Sequence, residues 1–250
     1  MKKQLFYAIV SLFFIAVISS CNTSKDDAKK PNTYVQDNYT KKEVTIEMRD
    51  GIKLHTVIYA PKDQSKTYPI LMQRTPYSCA PYGEGKFKTK ISPNLQLMKE
   101  GNIVVYQDVR GRWMSEGVYD NMRAYIPNKK GNQTDETTDT YDTIDWLIKN
   151  VENNNGKVGT WGISYPGHYA TVSTIDAHPA LKAASPQASI GDFFFDDFHH
   201  NGAFLLSYFR AVSLFGAYKD TPTDTAWYAL PTMDSQDQYQ FFLDAGPLKN

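Results

Sequence analysis

The stretch Gly162-Ile163-Ser164-Tyr165-Pro166-Gly167 constrains this chain more than any other, because it joins a short apolar strand, Val158-Gly159-Thr160-Trp161, to the start of a helix with almost no connecting residues. A strand that turns into a helix this sharply needs small residues around the bend, and it forces the residue at the apex into strained backbone dihedrals. Pro166 falls where a first helical turn tolerates proline. The serine at the apex exposes its Oγ at the carboxyl end of the strand, and the helix N-terminus behind it favours a developing oxyanion. The spacing departs from the general Gly-x-Ser-x-Gly: the second glycine, Gly167, comes one residue late and Pro166 takes its usual place. Ser164 is the candidate nucleophile.

Around this bend the chain alternates as an α/β fold does. Val44-Thr45-Ile46-Glu47-Met48 has period two, and Arg49-Asp50-Gly51 turns it into Lys53 to Tyr59, a β-hairpin. Ile70-Leu71-Met72 and Ile103-Val104-Val105-Tyr106 are short apolar runs bounded by turns, the pattern of strands buried on both faces. Between them a helix is predicted over Asn94 to Glu100, started near Ser92-Pro93 and ended by Gly101. A second runs from Asp139, where Tyr141, Ile144, Leu147, Ile148 and Val151 form one stripe, with Thr138 or Asp139 as N-cap. Asn153 to Gly156 breaks it, and Leu181 to Ser185 forms a last strand before Pro186. The expectation is six strands, the first two antiparallel and the rest joined by crossovers. Beyond Gly191, Phe193, Phe194, Phe195, Phe198 and Phe204 crowd together without strand alternation, so residues 191–250 are expected to begin a helical cap over a cleft.

The N-terminus predicts export. Lys2 and Lys3 precede an apolar run, Leu5 to Ile18, too short for a comfortable membrane span. Ile18-Ser19-Ser20-Cys21 resembles a bacterial lipobox, which makes residues 1–20 a signal peptide and Cys21 the lipidated anchor. By resemblance, Asn22 after the cysteine favours the outer membrane, and Ser24-Lys25-Asp26-Asp27 looks like a surface-export signal; the expected location is an exported lipoprotein facing the periplasm or the cell surface. Residues 21–38 are polar and expected to be a flexible tether, with the core over 39–190. Cys79 then has no partner for an internal disulfide and is read as a loop thiol or small core residue. Lys and Arg number 27 against 27 Asp and Glu, so no basic footprint for nucleic acid exists.

Four separated motifs carry a resemblance. The Gly-x-Ser-Tyr-x-Gly bend, Arg74-Thr75-Pro76-Tyr77, Gln107-Asp108-Val109-Arg110-Gly111-Arg112 and Ser115-Glu116-Gly117 resemble, in order, the X-Pro dipeptidyl-peptidase-like serine hydrolases. That family includes cocaine esterase-like enzymes, glutaryl acylases and α-amino acid ester hydrolases, and the likeness runs from about Tyr39 to at least Phe204. It implies an α/β-hydrolase fold with Ser164 as nucleophile and two oxyanion donors, the backbone N–H of Tyr165 and the hydroxyl of Tyr77. In α-amino acid ester hydrolases an aspartate near this point joins other carboxylates around the substrate α-ammonium group; Asp197 matches it, and the register leaves Asp196 open. Taken by themselves, Asp196 and Asp197 also read as a solvated or capping pair, or with His199 and His200 as zinc ligands, although the usual i, i+4 spacing is missing. No metal or cofactor is implied. Arg110 and Arg112 read as forks bridging loops at the rim, with Gly111 and Gly117 serving turns.

A serine nucleophile needs a histidine base oriented by a carboxylate, and in this fold they follow in the order Ser, Asp, His. The resemblance puts both after the cap. His55, His168, His178, His199 and His200 read instead as surface, packing or cap residues. The chain is therefore expected to be an N-terminal part, without the final strands and the C-terminal jelly-roll domain, and inactive alone. The expected function is a serine hydrolase that cleaves esters or amides, of α-amino acid derivatives, through an acyl-enzyme. Alternatives are an X-Pro dipeptidyl peptidase or simple esterase of the same family, and a non-catalytic, surface-anchored binding lipoprotein.

Overall fold

In the computed structural model the described residues are 32–192, 194–196, 198–229 and 237–246. The expected signal peptide, residues 1–20, and Cys21 lie outside them. The centre is a six-stranded mixed sheet built from β1 (Tyr39–Glu47), β2 (Lys53–Pro61), β3 (Tyr68–Thr75), β4 (Ile103–Asp108), β5 (Asn154–Ile163) and β6 (Leu181–Gln187) in the order β1-β2-β4-β3-β5-β6. Strands β1 and β2 form the expected hairpin, with Tyr39 opposite Pro61 and Glu47 opposite Lys53, closed by a turn in which Gly51 has φ 87. β2 also runs antiparallel to β4, while β4-β3, β3-β5 and β5-β6 are parallel. The α/β class and the six strands of this sheet are as the sequence predicts.

Every residue of β4 is buried, and its period-two alternation divides the core. Ile103 and Val105 join Ile46, Leu54, Ile70, Met72, Ile144 and Leu147 on one face, whereas Val104 and Tyr106 join Tyr39, Tyr59, Cys79, Ile91 and Met98 on the other. Cys79 is a fully buried core thiol.

Four expectations are corrected. The expected tether over 21–38 does not hold for its last residues, because Tyr34–Asn38 forms a short helix, α1, whose Val35 is buried in the second cluster. α2 (Leu95–Glu100) begins where expected, with the Asn94 side chain accepting the Gln96 N–H. α3, however, spans Glu136–Asn150 and starts three residues before Asp139: its N-cap is Asp135, whose Oδ1 accepts the N–H groups of Thr137 and Thr138, with Thr138 Oγ1 accepting in return from the Asp135 N–H. The extra turn is polar yet buried, so an apolar stripe could not reveal it. β6 continues through Pro186, which lies in a strand bonded on one side to β5 and, among the described residues, to nothing on the other; an edge tolerates the missing N–H.

The fourth correction concerns the segment after Gly191, which is not purely helical. β7 (His199–His200) and β8 (Ala203–Phe204) form a small antiparallel ribbon before a 3-10 turn (Leu206–Tyr208), α5 (Phe209–Gly216) and α6 (Gln238–Ala245). Asn201-Gly202, at φ 51 and 85, is the hairpin signal that the run of phenylalanines obscured.

Candidate active site

Ser164 follows the last residue of β5 and is the N-cap of α4 (Tyr165–Val172), at φ 63 and ψ −125. A serine in that region of backbone space is strained, and the strain persists because the surroundings fix it. Its N–H donates to the Gln187 carbonyl of β6 at 2.9 Å and its carbonyl accepts the His168 N–H at 3.1 Å. The two glycines are explained by close approach. A Cβ on Gly162 would lie 2.2 Å from the Pro166 carbonyl oxygen, and one on Gly167 would lie 2.4 Å from that of Gln187. Gly167 serves the crossing despite its shifted position in the motif.

The serine hydroxyl caps nothing and faces a cavity of about 200 Å³ lined chiefly by Tyr77, Tyr165, Phe198, Tyr208 and Phe215, with Asn121 as a polar neighbour. The rings of Tyr77 and Tyr165 meet edge to face, 6.3 Å apart, and Phe215 leans on both. Tyr77, Ser164 and Tyr165 are thus brought together. Tyr165 contributes more than its N–H. Its buried hydroxyl accepts from Tyr119 Oη and from the Met122 N–H, each at 2.7 Å, and donates to Asn121 Oδ1 at 2.8 Å, with burial pushing its pKa up. A larger surface cleft of about 550 Å³ near Arg49, Lys129, Tyr141 and Asp176 has its charges already paired, Arg49 with Asp142 and Lys129 with Asp135 and Asp176.

The loop carrying Tyr77 is clamped on both sides. The Pro76 carbonyl accepts Trp113 Nε1–H at 2.9 Å and Arg112 Nε–H at 3.3 Å, the Tyr77 N–H donates to Thr75 Oγ1, and the Cys79 N–H donates to Asp108 Oδ1 at 2.8 Å. The two arginines divide as structural forks. Arg110 grips Asp139 and Asp50, two fingers on each. Arg112 is fully buried and, among the described residues, pairs with no carboxylate; it donates to the carbonyls of Leu214, in the last turn of α5, and Ala217, just past it, and stacks over Tyr119 and Trp227. Gly111 and Gly117 have φ 71 and 87, as turns demand, and a Cβ on Gly111 would lie 2.1 Å from the Tyr119 nitrogen.

Asp196 is a half-buried bend residue. Its Oδ2 accepts the N–H groups of Asp192 and Gly191, and those bonds hold its carboxyl below the usual range. Asp197 lies outside the described residues. The histidines fall where the sequence puts them: His55 is buried in β2 beside Glu43, with its pKa lowered by burial; His178 packs on Tyr141; and His168 packs against Tyr165 and Tyr169 one turn into α4. Among the described residues, none bonds the Ser164 hydroxyl. Sequence reasoning missed Asn121 and Phe215 as cavity lining and the clamp of Asp108, since neither a loop amide, a single helical phenylalanine nor a single buried acid has a periodic signature of its own.

A strained serine on a strand-to-helix bend, with an N–H of the following residue at the helix N-terminus, defines the class: serine hydrolases. The chain belongs to the X-Pro dipeptidyl-peptidase (S15) family, whose pattern it matches over residues 50–245, together with the related CocE/NonD hydrolases. It is 29% identical over 161 residues to cocaine esterase of Rhodococcus sp. (strain MB1 Bresler), covering 64% of this chain and 25% of that protein. Among solved structures it is similar to an α-amino acid ester hydrolase (TM-score 0.71, 36% identity, 90% of this chain and 37% of the other). It is also similar to an aminopeptidase from a marine sediment Thaumarchaeota archaeon (TM-score 0.68, 38% identity, 84% and 34%). The chain thus spans between a quarter and two fifths of these relatives.

Proposed function

We propose that the protein hydrolyses esters or amides of α-amino acid derivatives through an acyl-enzyme on Ser164, within an α/β-hydrolase fold whose cap begins after Gly191. The observation that carries the reading is the bent backbone of Ser164 over an aromatic cavity that Tyr77 also lines. Ser164 Oγ adds to the substrate carbonyl as a histidine base takes its proton. The tetrahedral oxygen, now negative, meets the Tyr165 N–H and the Tyr77 hydroxyl, donors worth about 3 kcal/mol each because the charge exists only in the transition state. Collapse expels the alcohol or amine with the returned proton, and water then releases the acid. None of the described histidines hydrogen-bonds the Ser164 hydroxyl, and the base and its acid are sought in the protein at its full natural length. The α-ammonium group is assigned to Asp197, with Asp196, already engaged by two backbone N–H groups, as the second choice.

The test is a panel of α-amino acid esters, X-Pro anilides and neutral esters, with a fluorophosphonate probe, on the protein at its full natural length. The expected result is covalent labelling and a kcat/KM at least about tenfold higher for amino acid esters than for neutral ones. Preference for X-Pro anilides would instead assign a dipeptidyl peptidase, and absence of labelling would leave a non-catalytic binding lipoprotein. The Ile18-Ser19-Ser20-Cys21 run further supports a lipid anchor on Cys21, and Asn22 after it favours the outer membrane. Cys21→Ser is then expected to move the protein from the membrane fraction to the soluble one, and unchanged membrane retention would remove the anchor.

A further inference from the structure

We propose that Asp108 is a positioning residue that holds Tyr77 in register with Ser164 by anchoring the loop from Pro76 to Tyr82; the proposal rests on the reading of Tyr77 as an oxyanion donor. Asp108 ends β4 fully buried, next to β3, whose last residue Thr75 leads directly into Tyr77. Its Oδ1 accepts the Cys79 N–H at 2.8 Å, and its Oδ2 accepts Tyr82 Oη–H at 2.8 Å and the Met114 N–H at 3.3 Å. Among the described residues no lysine or arginine makes an ion pair with it. A buried carboxylate without a cation is costly unless several donors satisfy it, and burial does push its pKa up, to about 6, with the Tyr82 and Cys79 bonds pulling it back.

All but one of those donors lie on the Tyr77 loop, on the side opposite the Pro76 clamp. Between the two anchors the backbone takes an unfavourable path: Ser78 is at φ 101, a conformation that persists only where the surroundings over-determine it. Ser78 Oγ bonds Tyr82 Oη at 3.0 Å and accepts the Ala80 N–H, so the strained residue is tied back to the same carboxylate through Tyr82. The other side of Asp108 organises the Val109–Ser115 turn, since its carbonyl accepts Ser115 Oγ–H at 2.6 Å. One acid therefore fixes the loop bearing Tyr77 relative to the turn bearing Arg112 and Trp113, the residues that hold Pro76.

The experiment is a double-mutant cycle on the full-length enzyme with its best ester substrate. Asp108→Asn keeps the shape but turns an acceptor into a donor against the Cys79 N–H or the Tyr82 hydroxyl. It is expected to lower kcat on the order of 10- to 100-fold with KM little changed, the cost of a catalytic donor displaced by a fraction of an ångström. Tyr77→Phe alone is expected to lower kcat about 100-fold, and Asp108→Asn added to Tyr77→Phe is expected to cost nothing more. Tyr82→Phe, which removes one donor and leaves the fold intact, should give a smaller kcat loss that also vanishes in the Tyr77→Phe background, and it carries the test if Asp108→Asn does not fold. Equal losses with and without Tyr77, or a change in KM alone, would overturn the positioning role while leaving Tyr77 in place. A Tyr77→Phe enzyme of normal kcat would instead remove the oxyanion reading, and this proposal with it.

Discussion

Ser164→Ala is expected to eliminate turnover, by roughly 10⁴- to 10⁶-fold in kcat, and to abolish fluorophosphonate labelling without unfolding the protein. The separation of function from stability follows from how the residue is held. Its hydroxyl makes no capping bond to α4, and the two hydrogen bonds that fix the bend, from its N–H to Gln187 and from the His168 N–H to its carbonyl, belong to the backbone and survive in alanine. Alanine accepts φ 63 no worse than serine does, so the melting temperature should move little. Steady-state kinetics, probe labelling and thermal unfolding on the same preparation check all three statements. An alanine variant that still turned over ester would end the acyl-enzyme reading.

Arg74→Met is expected to destabilise the protein by about 3–5 kcal/mol, the cost of leaving buried acid without its partner. Arg74 is buried at the end of β3 and reaches into the first turn of α3, where it donates to Glu136 Oε2 at 2.9 Å, to the Glu136 carbonyl and to Thr140, while its Nε–H donates to Gln107 and its other finger approaches Asp139 at 3.6 Å. Burial already lifts the Glu136 pKa above the ordinary glutamate value, and the Arg74 charge pulls it back; without Arg74 it rises further. A carboxyl raised in the folded state binds its proton more tightly there than in the unfolded chain. Its contribution is therefore intact at acid pH and lost as pH rises through the folded value. The deficit of Arg74→Met against the parent should accordingly grow as pH rises above the ordinary glutamate range, read as the difference in urea midpoints. A deficit independent of pH would mean that packing, not charge, is what Arg74 supplies.

The same turn explains which parts of the molecule the sequence disclosed. β4 and the hairpin were legible because apolar alternation and an Asp-Gly turn write themselves locally, and Ser164 was legible because its bend needs a particular set of small residues in a short span. The start of α3 was hidden: Glu136, Thr137, Thr138 and Asp139 look like solvent-facing residues, and they are buried where Arg74 from β3 and Arg110 from the turn after β4 arrive from elsewhere in the chain. Tyr77 and Tyr165 were reached only through the resemblance, since nothing in their local pattern distinguishes an aromatic ring that lines a cavity from one packed in a core. Asn121 and Phe215 were not reached at all, because loop closure over the serine depends on contacts between segments that carry no shared period. Asp196 was legible as a residue of the right kind, but its two bonds to backbone N–H groups are a property of the turn.

The crossing of β5 and α4 at Gly162 and Gly167 has an evolutionary corollary. Contact there is backbone against backbone, so the position of the serine is set by the sheet and helix themselves and owes nothing to the side chains that form the opposite wall of the cavity. Phe198, Tyr208, Ala211 and Phe215 come from the ribbon and helix that follow Gly191, and exchanging them for larger, smaller or polar groups reshapes the space offered to a substrate without disturbing the bend. Descendants of such a scaffold can therefore diverge in what they accept while the reacting atom stays in place.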